Sequence, residues 1–272
     1  MKLIRQFVIL FAYYVYALFS CFFLFCGGFL VGRHRKLLYR IAAHFGPFPP
    51  IPNKPKALIP SIPSSKLVAD TTELRILEAM PTEGNVTLFE LLVIVRLAKH
   101  FNSLRLFEIG TFDGRTALNL AANCPEPAQV FSLDLPKGEL RNTRLELAPS
   151  DALYIEKDAS GARWRGTPYE HKISQLYGDS AVFDFSPYVN GMDFVFVDGS
   201  HAYGYVLNDT RRAVEMLRDG FGVIMWHDYD SWDGVTIALN ELYLRDSRFV
   251  DLKHIEGTSL VYLVFRPSKQ NS

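Results

Sequence analysis

The sequence predicts an α/β fold: a Rossmann-like, mostly parallel seven-stranded sheet with helices on both faces, preceded by an N-terminal transmembrane helix. Three observations predict it. Short apolar runs of strand length alternate with helical patterns along most of the chain. Several of those runs end in glycines and acids, which is where parallel sheets bind ligands. A long charge-free segment lies near the N-terminus.

That segment, FVILFAYYVYALFSCFFLFCGGFLV from Phe7 to Val31, runs about 25 residues without a charge, against the roughly 20 that cross a bilayer core. It exceeds the apolar region of a secretion signal and no small-x-small cleavage site follows it, so a retained span is expected. Lys2 and Arg5 precede it, and Arg33, Arg35, Lys36 and Arg40 follow it. The richer side is expected in the cytoplasm, so a single-pass membrane protein with its globular domain in the cytoplasm is expected. Tyr13, Tyr14 and Tyr16 sit too centrally for an interfacial belt and suit a partner helix or a half-inserted, monotopic arrangement.

Residues 1–46 thus read as anchor and basic juxtamembrane segment. Residues 47–65, PFPPIPNKPKALIPSIPSS, are rich in prolines that remove donors and hold the chain extended, so they read as a linker, either a spacer or a draped arm. Residues 66–268 form the α/β domain. It opens with helical stretches near Leu67 to Met80 and over Thr87 to His100. Strand-like runs follow at Leu104 to Ile109, Gln129 to Leu133, Ile173 to Tyr177, Phe194 to Val197, Gly222 to Trp226 and Ser259 to Phe265. Helical patterns at Thr116 to Ala122, Tyr203 to Leu217 and Val235 to Arg245 separate most of them.

Composition narrows the function. With 272 residues and 49% hydrophobic content the chain supports one substantial core, and zero net charge provides no basic field, so nucleic acid is not an expected partner. The three cysteines, Cys21, Cys26 and Cys124, imply a reducing compartment without a disulfide framework, and no metal-type Cys/His spacing occurs. Oligomeric state, a homo-oligomer included, stays open.

The strand ends carry the chemistry. In LFEIGTFDGRTALNLA, Gly110 lets the chain turn off the strand and Gly114 opens the helix, leaving free N–H groups for a polar ligand. The loop lacks the third glycine of the dinucleotide fingerprint, and its acid, Glu108, precedes the first glycine. Asp134 in VFSLDLP stands where an acid accepts both ribose hydroxyls in a Rossmann-like unit. Asp179 and Ser180 follow in YGDS, Asp198 and His201 in FVFVDGSHAY, and His227 and Asp228 in MWHDY. Trp164 and Trp232, with Tyr169, Tyr203 and Tyr229, fall where aromatics line pockets or lids, whereas Arg211 and Arg212 read as a solvated helix face.

Taken in order, FEIGTFDGRT, SLDL, YGDS and VDGSHAYGYVLNDTRRAVEMLRDGFGVIMWHDY resemble the class I methyltransferases that use S-adenosylmethionine, in particular the branch of small-molecule O-methyltransferases. The resemblance covers Leu67 to Phe265. It implies that Glu108, Gly110 and Gly114 form the cofactor loop and that Thr116 helps hold the methionine carboxylate, a helix-start cap being the alternative for that threonine. It implies further that Asp134 takes the ribose and that Asp179 and Ser180 lie near the adenine, unless they serve only the turn.

A sulfonium donor carries an activated methyl group, so the remaining task is to align an acceptor and remove its proton. Asp198, His201, His227 and Asp228 are the ionisable groups expected to converge there. In one arrangement a divalent cation at Asp198 and Asp228, magnesium or the softer manganese that His227 would favour, lowers the acceptor's pKa. In the other, His201 or His227 is the general base. The expected acceptor is a small molecule, a sugar or a lipid-linked molecule. The rival readings are a nicotinamide-dependent (NAD) oxidoreductase, disfavoured by the glycine pattern, and a non-catalytic membrane scaffold that keeps the fold.

Overall fold

A long helix forms where the side chains are apolar on every side. In a computed structural model of the protein, which describes residues 2–31, 54–68, 73–157 and 159–266 and the isolated positions 34, 37, 38 and 41, this is α1 (Lys2–Cys26). The segment Gln6–Cys26 is long and apolar enough to cross a membrane, and Phe11, Tyr13, Tyr14, Tyr16 and Phe19 are exposed along it. A helix with no covered face fits a membrane anchor or a signal sequence. Arg33, Arg35, Lys36 and Arg40, and the linker's first part, 47–53, lie outside the described residues. The chain divides into two compact units, Met1–Lys54 and Pro55–Ser272.

The second unit is built on β1 (Ser61–Ile62), β2 (Arg105–Ile109), β3 (Gln129–Asp134), β4 (Ile173–Tyr177), β5 (Phe194–Val197), β6 (Gly222–Trp226), β7 (Lys253–Ile255) and β8 (Val261–Phe265). These form one sheet in the order β1-β7-β8-β6-β5-β2-β3-β4, in which only β8 runs antiparallel to its neighbours. Its helices are α2 (Leu88–His100), α3 (Arg115–Asn123), the four-residue α4 (Ala152–Ile155), α5 (Tyr203–Met216) and α6 (Asp233–Arg245). The period-2 alternation of a strand splits the core. Phe194 and Phe196 of β5 join Leu91, Ile94 and Leu118 from α2 and α3, while Val195 and Val197 join Ala213 and Leu239 from α5 and α6 on the other face.

The predicted fold class is present, with corrections. The sheet is mostly parallel as expected, but it has eight strands, not seven, and β8 makes it mixed. The extra β1 lies inside the proline-rich segment, tolerated because an edge strand leaves donors unused. The described part of that segment is laid on the domain: Leu58 N and Ile59 N donate to Tyr229 Oη at 2.8 and 3.0 Å, and Asn240 Nδ2 donates to Lys56 O. The helix expected up to Met80 is absent from residues 73–80. Two asparagines of α3 hold that backbone extended instead: Asn119 and Asn123 each bond both the N–H and the C=O of Leu77 and Arg75, respectively.

The strand order reverses between β2 and β5, which pair side by side up to Ile109 and Val197. That reversal opens the crevice in which α/β sheets bind ligands.

Candidate active site

Gly110 leaves β2 with φ +98°, and a Cβ there would sit 1.9 Å from Asp198 O, so only glycine lets the two strand ends close together. A cavity of about 210 Å³ opens above this junction. One side is lined by Gly110, Asp134, Asp179 and Ser180, the other by Asp198, His201, His227 and Asp228, with Phe112, Tyr154 and Trp232 among its aromatics.

On the first side Asp134 ends β3. Its Oδ2 accepts from Lys157 Nζ at 2.8 Å and from Ser160 Oγ. Burial pushes its pKa up, against the pull of Lys157. Asp179 accepts from Tyr205 Oη at 2.8 Å, from Ala181 N and from Arg144 N, so its carboxylate fixes the turn after β4 and the start of the cavity wall at once. Ser180 sits beside it and its carbonyl accepts from Asn208 Nδ2.

On the second side the acids and histidines interlock. His227 Nδ1 lies 3.0 Å from Asp198 Oδ1 and 3.2 Å from Asp228 Oδ2, and its Nε2 faces Glu90 Oε2 at 3.5 Å. His201 bridges two carboxylates, with Nδ1 2.5 Å from Asp151 Oδ1 and Nε2 2.9 Å from Asp228 Oδ2. Burial opposes charging these rings, but the flanking carboxylates prevail: they raise His201 to about 9 and His227 well above its ordinary value. Burial likewise opposes the charged form of Asp228, yet His227 and His201 hold it below the usual carboxylate range. Asp198 goes the other way, its pKa raised by burial. Asp228 and Asp230 adopt φ of +68° and +61°, a left-handed turn that aims Asp228 back into the cavity.

Residues 107–229 match the model of a family described as a methyltransferase domain. Solved structures share the chain's fold at low identity. Cofactor-bound Rv0187 from MTB is 16% identical with a TM-score of 0.50, covering 70% of this chain and 85% of its own. The S-adenosylhomocysteine (SAH)-bound methyltransferase PaMTH1 from Podospora anserina is 14% identical with a TM-score of 0.50, covering 68% and 81%. The O-methyltransferase TomG from Streptomyces achromogenes, in complex with S-adenosylmethionine (SAM), is 18% identical with a TM-score of 0.46, covering 69% and 92%. Nothing among curated protein sequences matches the chain. The fold is shared with these methyltransferase structures.

Within the matched region the structure separates the expected cofactor residues. Gly110, Asp134, Asp179 and Ser180 line the cavity, but Glu108, Gly114 and Thr116 do not. Glu108 is buried beneath the loop, hydrogen-bonded by Ser132 Oγ, and burial pushes its carboxyl well above the usual range. Gly114 caps α3 with φ +88° and packs against Trp164, whose ring a Cβ would meet at 2.3 Å. Thr116 is buried in the first turn of α3, where Gly114 holds the cap position, so the helix-start cap is not the threonine's.

Among the aromatics, Trp232 lines the cavity and packs against His201, with ring centroids 4.5 Å apart and planes tilted by 32°. Trp164 belongs to the core, Tyr229 is wholly buried with its hydroxyl on the backbone of Leu58 and Ile59, and Tyr203 donates to Glu241 on the surface. Tyr169 accepts from Arg75, and Arg212 pairs with Glu215 along its own helix. Glu90 and Asp151 escape a sequence reading. Glu90 is announced by the TLFE capping box of α2, and its Oε2 accepts from Thr87 N and Oγ1. Its Oε1 is taken by Ser259 N and Oγ, and burial notwithstanding, His227 and these donors hold it below the usual carboxylate range. Asp151 ends a 3-10 turn, Pro149–Asp151, directly before α4, and no motif marks it.

Proposed function

We propose that this chain transfers a methyl group from S-adenosylmethionine to an oxygen acceptor, at a membrane to which α1 anchors it. The observation that carries the reading is one cavity at the β2–β5 reversal that has Gly110, Asp134 and Asp179 on one side and the Asp198–His201–His227–Asp228 cluster on the other. In the reaction a bond forms between the acceptor oxygen and the methyl carbon, the sulfur–carbon bond breaks, and the acceptor's proton passes to the cluster.

Asp198 is the group best suited to receive it. Its raised pKa gives a carboxylate proton affinity, whereas both ring nitrogens of His201 and His227 already face carboxylates. The histidines in their charged form would instead stabilise the developing oxyanion. Asp198, His227 and Asp228 also offer ligand atoms within 4.8 Å of one another, two carboxylates and an imidazole, a donor set that fits manganese better than magnesium. When bound, such an ion supplies a Lewis acid that lowers the pKa of the acceptor oxygen. Trp232 and Tyr154 line the same side of the cavity and suit a small molecule or the sugar of a lipid-linked acceptor.

Calorimetric titration of the detergent-solubilised chain with SAH tests the cofactor: micromolar binding that Asp134→Ala abolishes is expected, and no binding by the folded chain would end the reading. For the membrane, removal of residues 1–54 is expected to abolish methylation of acceptors in membrane extracts. Undiminished activity on a water-soluble acceptor, with no acceptor in the extracts, would refute a lipid substrate.

A further inference from the structure

A buried acid meant to accept two ribose hydroxyls must stay ionised, and burial works against that. The residues that face Asp134 come from four elements. Lys157 and Ser160 reach it from the segment around α4, the Thr111 N–H from the glycine loop, Glu108 from β2, and Tyr177 is its register partner on β4. Glu108 supplies no counter-charge, since it is itself an acid. Only Lys157 can.

Its geometry is that of a held group. Lys157 Nζ lies 2.8 Å from Asp134 Oδ2 with both side chains largely buried, 12% and 9% exposed, and a further bond at 3.1 Å to Tyr154 O fixes the ammonium from behind. Among the described residues that line the cavity, Lys157 is the only lysine or arginine, against five aspartates. The sequence offers no motif for it: α4 and the residues after it fold over the cavity and bring Lys157 to the end of β3.

We infer that Lys157 is part of the cofactor site, a positioning residue whose ammonium keeps the Asp134 carboxylate in place and charged for the ribose of the incoming cofactor. This rests on the reading of Asp134 as the ribose acid. It adds that the affinity for cofactor is set by a residue that need not touch the cofactor.

The test is a titration of the full-length protein in detergent with SAH between pH 6 and 9. It compares the unmodified chain with Lys157→Met, Lys157→Arg, Lys157→Gln and Asp134→Ala. Loss of the charge-assisted bond is expected to weaken binding by about tenfold in Lys157→Met near pH 6. The sign follows from the acid: without the ammonium Asp134 is neutral at low pH, and affinity recovers as rising pH ionises it. The unmodified chain and Lys157→Arg are expected to vary little over the same range.

Lys157→Gln keeps a donor without the charge, and it carries the same reading should the methionine variant fail to fold. Binding by the uncharged variants that equals or exceeds that of the unmodified chain at every pH would overturn the inference, with the ribose role of Asp134 intact. Binding that Asp134→Ala leaves undiminished, or no binding by the unmodified chain, would instead remove the cofactor assignment itself.

Discussion

Two glycines of the domain share a backbone conformation and differ in what surrounds them. Gly110 has φ +98° and Gly138 φ +90°. An alanine at either pays the left-handed penalty of roughly 1–2 kcal/mol. At Gly138 nothing lies within 4 Å of the added Cβ, so the cost stops there. At Gly110 the Cβ would lie 1.9 Å from the carbonyl oxygen of Asp198 and 2.5 Å from its carbon. An ordinary carbon–oxygen contact is about 3.3–3.6 Å, so one strand end must retreat by more than about 1 Å. Both neighbours are backbone, with no side chain to swing aside. We expect Gly110→Ala to cost about 4 kcal/mol or more, in the exceptional range for a single substitution. At roughly 2–4 °C per kcal/mol for a domain of this size, thermal unfolding in detergent separates the two variants clearly. Because the displaced peptide carries Asp198, SAH binding is expected to weaken in Gly110→Ala and not in Gly138→Ala. Equal melting shifts would refute the argument, since they would mean that β2 and β5 do not approach this closely.

Three further outcomes are expected. Arg115 is buried and donates to Glu78 O at 2.6 Å, Val86 O at 2.8 Å and Ala79 O at 3.1 Å, so Arg115→Met is expected to cost about 3–5 kcal/mol. Limited proteolysis should then cut first within residues 78–86, and an unchanged cleavage pattern would contradict this. Burial raises Asp209 to about 6, so its contribution to stability is present below the ordinary carboxylate pKa and is lost as pH rises through about 6. Asp209→Asn should accordingly raise the melting temperature at pH 8 and leave it nearly unchanged at pH 4; a pH-independent shift would exclude the charge as its cause. Manganese binding at Asp198, His227 and Asp228 must displace a proton from the imidazole, so calorimetric affinity should rise with pH and vanish in Asp228→Asn.

What the sequence made legible tracks how local each signal is. Strands β2, β3, β5 and β6 announce themselves because apolar side chains dominate both faces, and α2 because its period and its capping box agree. The two-residue β1 and three-residue β7 are too short to show any period. The helical spacing before Met80 misled because the backbone there is claimed by Asn119 and Asn123 from a helix further along the chain. The site divides the same way. Asp134, Asp179, Asp198 and His227 follow directly from strands, so topology alone brings them to one cavity. Glu90, Asp151 and Lys157 arrive by tertiary packing from helix and loop, and only the folded chain reveals them.

Those late arrivals change what the Asp198–His201–His227–Asp228 cluster can do. With Asp198 and Asp228 alone, His227 would be a neutral ring beside two acids and a natural base. Glu90 at its second nitrogen removes that option, and Asp151 does the same for His201. Four carboxylates around two imidazoles hold both rings charged, so neither has a lone pair with which to take the acceptor's proton. A charged ring is still useful, because an acceptor oxyanion forming among these acids would otherwise be repelled by them. In the proposed reaction the proton goes to a group whose burial favours the neutral form, and Asp198 is the member of the cluster pushed in that direction. Asp198→Asn, which keeps shape and removes the proton acceptor, is therefore expected to lower kcat by 10²-fold or more at a nearly unchanged affinity for SAH, in the range of about 10²–10⁴ for a lost general base. A comparable loss in His201→Asn with Asp198→Asn left active would return the base role to the histidine and require that Asp151 release it during turnover.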